Sequence, residues 1–505
     1  MNQGLTIKLL GLALVIVSAL FLTSCTEEPK NQLESVQQQG YIKVYTRISP
    51  TTMYVGEEGF SGFEYDLVKL FADELGVRVQ IVTENDIAKI LREVSSGRAD
   101  FAAAGLTVTK QREEYLRFGP PYQEITSKLV YKQGNDRPRD FSQVDKNLTV
   151  VANSSHSEEL LNAQQDYPNL SWTERSDLTP QDLLDGVLDG TFDYTIVDSN
   201  ELQLARQVQP ELAVAFSISE PEPLAWAFPK GTDNSLYIKA IEFFSKIRGD
   251  GTLAYLTERY YGHLSKFDYV GNREFLRAIE DKLDKYRPYF YEAAANDLDW
   301  RLLAAMGYQE SHWEPHARSP TGVRGLMMLT LNTAKQLGVK NRLDAEQSIL
   351  GGADYLRLVK EKIPDRIEEP DRTWFALAAY NVGFGHLEDA RRLAEGDGAN
   401  PDKWLDVKEY LPLLRQKKWY SRTRYGYARG DEPVKYVNNI RMYYQVLKQV
   451  AEPKAGGSEL VDPETESMQE GEEIGDNGQD EENILGTDEA LAETESDKSQ
   501  DDTEK

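Results

Sequence analysis

Between Gly40 and about Lys266, short apolar runs alternate with amphipathic stretches. GYIKVYT, VRVQIV, DFAAAGL, NLTVVA, FDYTIV and PLAWAFP carry the β-branched and aromatic content of strands, whereas YDLVKLFADELG, DIAKILREVSSG and QDLLDGVLDG read as helices closed by glycine. Strands and helices that take turns predict parallel sheets of α/β type. From Asn272 to about Val450 the pattern changes. FLRAIEDKLDKYRPYFYEAAA, DWRLLAAMGYQES, AEQSILGGADYLRLVKEKI, TWFALAAYNVG and PVKYVNNIRMYYQVLKQV are all amphipathic at helical spacing, which predicts an all-α or mostly α domain.

Length and charge then set the outer limits. A chain of 505 residues is too long for one core. Its formal charge of -27 is unevenly placed: residues 452–505 hold 20 acidic and 3 basic residues, about -17 of the total. That tail has almost no aromatic residues and cannot bury enough apolar surface to offset the entropy of ordering, so it is expected to be disordered. Nothing basic on this scale invites nucleic acid. At the other end, Lys8 precedes LLGLALVIVSALFL, an apolar run of about 14 residues. A bilayer-spanning helix needs roughly 20, so the run suits the h-region of an export signal. The signal ends in Leu-Thr-Ser-Cys at Cys25, the chain's one cysteine, which leaves no internal disulfide. That ending resembles the lipobox of bacterial lipoproteins, which implies a lipidated Cys25 and, with threonine following it, the periplasmic face of the outer membrane. The expected organisation is a signal peptide at 1–24, a lipidated N-terminus and linker at 25–39, folded domains at 40–268 and 269–451, and the acidic tail at 452–505.

One residue breaks the apolar pattern. Leu303, Met306 and Glu310 follow i, i+3, i+7 and share one helical face. A carboxyl group on a dry face has its charged form disfavoured and becomes able to donate a proton near neutral pH, although a glutamate near a helix end is ordinarily half exposed. The surrounding segments, Glu310-Ser311, GLMMLT at 325–330, AAYNVGFG at 378–385 and Tyr436 in KYVNNI, stand in the order of the motifs of lytic transglycosylases, relatives of goose-type lysozyme, which this block resembles. The resemblance implies that Glu310 protonates the β-1,4 bond between N-acetylmuramic acid and N-acetylglucosamine in peptidoglycan, leaving a 1,6-anhydromuramoyl end. It also implies supporting roles for Ser311, Met328, Tyr380, Asn381 and Tyr436. Met328 stands where many relatives carry glutamine, which puts one sugar contact in question, and Thr330 where proline is common. Gly325 and the glycines after Asn381 are expected to let backbone approach a sugar chain. His312 and His316 have i, i+4 spacing, but Pro315 lies between them and no HExxH sequence is present, so no metal and no cofactor is expected.

The first domain resembles the family 3 periplasmic solute-binding proteins through GFEYDLVKLFADELG, SGRADFAAAGLTVTKQREEYLRFGPPY and DGTFDYTIVDSNEL. A two-lobed fold is implied, with Arg112 and Thr107 on a ligand's carboxylate, Asp198 on its amino group, and Ser154 and Ser155 as second-lobe donors. A guanidinium fork suits a carboxylate. The implied ligand is an amino acid or muropeptide that regulates access to the catalytic cleft. Two other readings remain at this point: a lysozyme-like hydrolase, and a solute or muropeptide receptor whose helical domain merely holds the cell wall.

Overall fold

The computed structural model describes residues 31–56, 59–264, 269–319 and 322–450. The expected export signal, Cys25 and the acidic tail lie outside them. Among the described residues no helix is long and apolar enough to cross a membrane.

The first domain is built as two lobes around two five-stranded sheets. Lobe 1 orders its strands Arg78–Thr83, Tyr41–Thr46, Phe101–Ala102, Ala227–Pro229, Leu116–Phe118. The first three are parallel, as the alternating pattern predicts, but Ala227–Pro229 runs antiparallel to both its neighbours. Lobe 2 orders Thr173–Arg175, Leu148–Val151, Tyr194–Asp198, Ser127–Lys132, Leu212–Ser217, and its last two strands are again antiparallel to their neighbours. The sheets are therefore mixed rather than wholly parallel. The reason is the route of the chain, which leaves lobe 1, builds lobe 2 and comes back. The segment PLAWAFP, which reads as one strand, serves two purposes on that return. Glu222–Leu224 pairs antiparallel with Gln123–Ile125 to form the crossing between lobes, and Ala227–Pro229 then enters the first sheet.

Helices cover the sheets where the sequence places them. Phe63–Leu75 buries Leu67, Val68, Phe71, Ala72 and Leu75 and stops at Gly76, whose φ of 70° is the left-handed conformation that glycine adopts without strain. Pro180–Asp189 starts on a capping box between Thr179 and Asp182.

The described part of the second domain is built of helices joined by loops, the longest carrying two isolated β-bridges at Arg318–Arg324 and Arg324–Leu329, and is organised by one hydrophobic cluster that includes Leu303, Met306, Trp313, Leu326, Met327, Phe375, Trp404, Tyr436 and Ile440. Three helices matter most for the site: the helix Trp300–Ser311 that carries Glu310, the helix Asp371–Val382, and the C-terminal helix Asp431–Val450, which packs on both. The same C-terminal helix also meets the first domain. Arg441, 2% exposed, donates from Nη1 to Glu258 Oε1 at 2.8 Å and from Nη2 to the Glu258 carbonyl at 2.6 Å, and its guanidinium lies 5.1 Å from the centre of the Trp374 ring. Lys408 closes on the other oxygen of Glu258 at 2.6 Å. Beside this clasp, burial and then the charge of Arg441 push His263 down to about 3, so it is neutral at ordinary pH.

Candidate active site

The Glu310 helix begins at Asp299, which caps the Arg301 N–H, and ends at His312 in the left-handed region with φ 53°. Leu303 and Met306 are fully buried on its inner face, and Glu310 stands one turn further along the same stripe, half-buried, at the point where the helix runs out of core. Glu310 Oε1 accepts a 2.6 Å hydrogen bond from the Tyr436 hydroxyl, 126 positions away in sequence. Burial raises the Glu310 pKa and the Tyr436 bond lowers it, with burial prevailing, so the carboxyl sits at about 7. Among the described residues no second carboxylate contributes to that balance. Glu314, the nearest in sequence, is exposed beyond the helix end.

Perturbation alone does not single out Glu310. Glu64 is pushed to about the same value by burial, yet it is 1% exposed and both its oxygens are used, one by the Gly105 N–H at 2.6 Å and the other by the Tyr122 hydroxyl. A group sealed in this way has no route to a substrate. Glu310 combines the same proton affinity with partial access.

The other sequence-predicted residues gather around it in different ways. Ser311 donates its one hydroxyl proton within reach of two carbonyls, Leu326 at 2.8 Å and Gly307 at 3.2 Å, and accepts from the Glu314 N–H, so it ties the Glu310 helix to the GLMMLT segment. Tyr380 donates to the Met327 carbonyl at 3.1 Å, and its ring lies nearly parallel to that of Tyr436 with centres 6.5 Å apart. Burial, with the neighbouring Glu310 charge second, holds the Tyr380 hydroxyl well above its usual pKa, and the same is true of Tyr436. Asn381 is exposed at the end of its helix. Met327 belongs to the core, whereas Met328 is half-buried and has φ 48°, a left-handed conformation uncommon for a side-chain-bearing residue. Gly325 departs from its expected use. Its φ is 91° and an added Cβ would lie 1.8 Å from the Arg342 carbonyl oxygen, so the tight approach is to this chain's own backbone and not to open cleft.

In the first domain Thr107, Arg112, Ser154, Ser155 and Asp198 do converge, on a cavity of only about 20 Å³ between the lobes that Arg47, His156 and Glu201 also line. The expected free ligand groups are already engaged. Arg112 Nε lies 3.3 Å from Glu158 Oε1, and its two terminal nitrogens donate to the carbonyls of Thr107 and Asn153. Asp198 faces His156 Nε2 at 3.0 Å. Ser154 is spent on the helix Ser155–Ala163, capping Ser157 and donating to the Val151 carbonyl, while Ser155 reaches across to Thr107 at 3.3 Å. Arg47 and Glu201 add a second pair across the lobes at 3.5 Å. His156 and Glu158 escape a reading of the sequence because SHSEE looks like the polar first turn of a helix, which it also is.

Known proteins match both halves. The profile of bacterial extracellular solute-binding proteins, family 3, matches residues 42–263, and that of the transglycosylase SLT domain matches residues 288–402. The solved cysteine-binding protein of Campylobacter jejuni aligns at a TM-score of 0.43 and 20% identity, over 48% of this chain and 98% of its own. Proteins named membrane-bound lytic murein transglycosylase F are similar over most of the length. One from Alkalilimnicola ehrlichii, F 1, is 50% identical over 84% of this chain and 87% of its own. Those from Idiomarina loihiensis and Saccharophagus degradans are each 48% identical over 87% of this chain, and over 97% and 88% of their own. The chain belongs to the membrane-bound lytic murein transglycosylase F family.

Proposed function

We propose that the protein is a peptidoglycan lytic transglycosylase with Glu310 as its acid and then its base. The observation that carries this reading is a half-buried carboxyl with a pKa of about 7, hydrogen-bonded by Tyr436 and without a second carboxylate acting on it among the described residues. Neutral Glu310 gives its proton to the oxygen bridging N-acetylmuramic acid and N-acetylglucosamine as the bond to C1 breaks. A two-carboxylate glycosidase would place a second acid about 5 to 9.5 Å away to supply the nucleophile or activate water. Here the substrate's own N-acetyl group stabilises C1. Ionised Glu310 then takes the proton from the C6 hydroxyl, O6 closes on C1, and a 1,6-anhydro ring forms without consuming water. In this reading Ser311 and Tyr380 fix the wall of the cleft, Asn381 and Met328 face the sugars, and Tyr436 holds the ionised form between the two proton transfers.

The family name of the relatives supports membrane association, and we assign the attachment to lipid on Cys25 at the periplasmic face of the outer membrane. The first domain is read as a sensor of an amino acid or muropeptide, with Arg112 and Asp198 as the charges such a ligand must win from Glu158 and His156.

Glu310→Gln keeps the shape and removes the ionisable proton, so it should lower cleavage of purified sacculi by about 10³-fold. Mass spectrometry of the products from the parent protein should show anhydromuramoyl ends. Reducing muramic ends in their place would mean hydrolysis and would exclude the lyase reading.

A further inference from the structure

The most basic stretch of this acidic protein has no part in the chemistry above. Residues 415–429 contain six cations, four aromatic residues and no acid, in a chain of net charge -27. Arg415 and Arg429 pair with Asp431 and Glu432. Lys417, Lys418, Arg422 and Arg424 are exposed, and none of them meets a carboxylate among the described residues. Three of them stand beside aromatic rings. Lys418 and Arg422 lie 5.3 and 5.8 Å from the centre of Trp419, and Arg424 lies 5.5 Å from the centre of Tyr425. Tyr425 and Tyr427 are both more than half exposed.

The fold holds this stretch in place. Buried Asp389 accepts the N–H groups of Arg424 and Tyr425 at 3.1 and 2.8 Å, and the Ala428 N–H donates to the Leu414 carbonyl at 3.1 Å. Uncompensated like charges repel, and none of these anchors requires them. The stretch also packs on the segment that carries Asn381. The Tyr425 ring covers Gly385, where an added Cβ would lie 2.9 Å from ring carbons. Gly385 is four residues past Asn381, hence no more than about 15 Å from it along the chain. On its other side the stretch leads directly into the helix that carries Tyr436.

We propose that residues 415–429 form a platform that binds the carboxylates of the stem peptides on the glycan substrate, beside the pocket where the sugar bond is cleaved. The proposal rests on the peptidoglycan reading above. Ammonium and guanidinium groups suit carboxylates, and flat rings suit sugar faces and the alkyl parts of short peptides. A strand of N-acetyl sugars with amide-linked lactyl groups is neutral, so only its peptides offer these cations a partner.

The test is binding of the full-length Glu310→Gln protein to native sacculi and to sacculi whose carboxylates have been converted to amides. Native sacculi should bind about 10-fold more tightly, as expected for several exposed ion pairs acting together. Adding Lys417→Gln, Lys418→Gln, Arg422→Gln and Arg424→Gln should abolish that difference by weakening only the binding to native sacculi. The smaller pair Lys418→Gln and Arg422→Gln, both beside Trp419, should remove part of it and serves if the larger set misfolds. Equal binding of parent and variant to native sacculi overturns the proposal, as does an equal loss on both substrates. A chain ending at residue 450 tests the competing occupant. If removing the acidic tail tightens binding of the parent and not of the variant, the tail competes with the stem peptides for the platform, which the proposal predicts, whereas a preference for native sacculi that vanishes with the tail overturns it. Whether the unsubstituted protein releases anhydro ends is read separately, so failure of the platform and failure of the lyase reading are distinguishable.

Discussion

At the scale of single residues, Glu310 is governed by two opposed influences, burial and one hydrogen bond. In the proposed mechanism, burial favours the neutral acid needed first, and the Tyr436 hydroxyl favours the carboxylate needed second. In Tyr436→Phe the lowering influence is gone, so the Glu310 pKa should rise from about 7. Cleavage that requires the protonated acid falls as pH rises through that pKa. The alkaline limb of kcat/KM against pH should therefore move upward by about one unit in the variant, with the maximal rate reduced roughly 10-fold by loss of a bond to the charged form. An unmoved limb would show that another group sets it. The place of Glu310 at the end of a buried stripe was legible in the sequence, because the spacing from Leu303 and Met306 is helical. His156 and Glu158 were not. Whether a polar helix start caps its own backbone or fills a cleft depends on what the opposite lobe brings to it.

Among the secondary-structure elements, the longer strands and glycine-closed helices are readable from sequence because their signals are local: β-branched runs such as Tyr41–Thr46, or an i, i+4 stripe ending in glycine as in Phe63–Leu75. Strands of three residues such as Leu116–Phe118 and Gln123–Ile125 are too short to show a period, and the split inside PLAWAFP follows from chain topology alone. The C-terminal helix shows how one element can serve two domains. Arg441 is buried with its partner Glu258, and removing one member of a buried pair costs about 3 to 5 kcal/mol when the other is left uncompensated. Arg441→Ala should lower stability by roughly 3 kcal/mol, less whatever Lys408 recovers, and should separate a single calorimetric transition into two as the domains lose their joint. One unchanged transition would mean that the joint is held elsewhere.

Across the whole molecule, the two lobes of the first domain close on charges of their own. In the proposed sensor reading, Glu158 on Arg112 and His156 on Asp198 stand in for a ligand's carboxylate and ammonium. Any zwitterion that enters must displace both, which lowers its apparent affinity by the stability of those pairs. Glu158→Gln weakens one of them while keeping its size, so calorimetry of the full-length protein with the common α-amino acids should show about 10-fold tighter binding for whichever of them binds. No heat from either protein would leave the domain as a scaffold. The C-terminal helix then has a consequence that reaches beyond its packing. Its 20 residues form a rod of about 30 Å, on which Tyr436 and Arg441 are only about 7.5 Å apart. The hydroxyl bonded to Glu310 and the cation clasped by the neighbouring domain therefore stand on one continuous element. A slight tilt at the clasp stretches or shortens a 2.6 Å contact, and proton affinity is sensitive to such small changes. Under the proposed mechanism, the acidity at which the protein works best would then be a gauge of how firmly its two halves are seated.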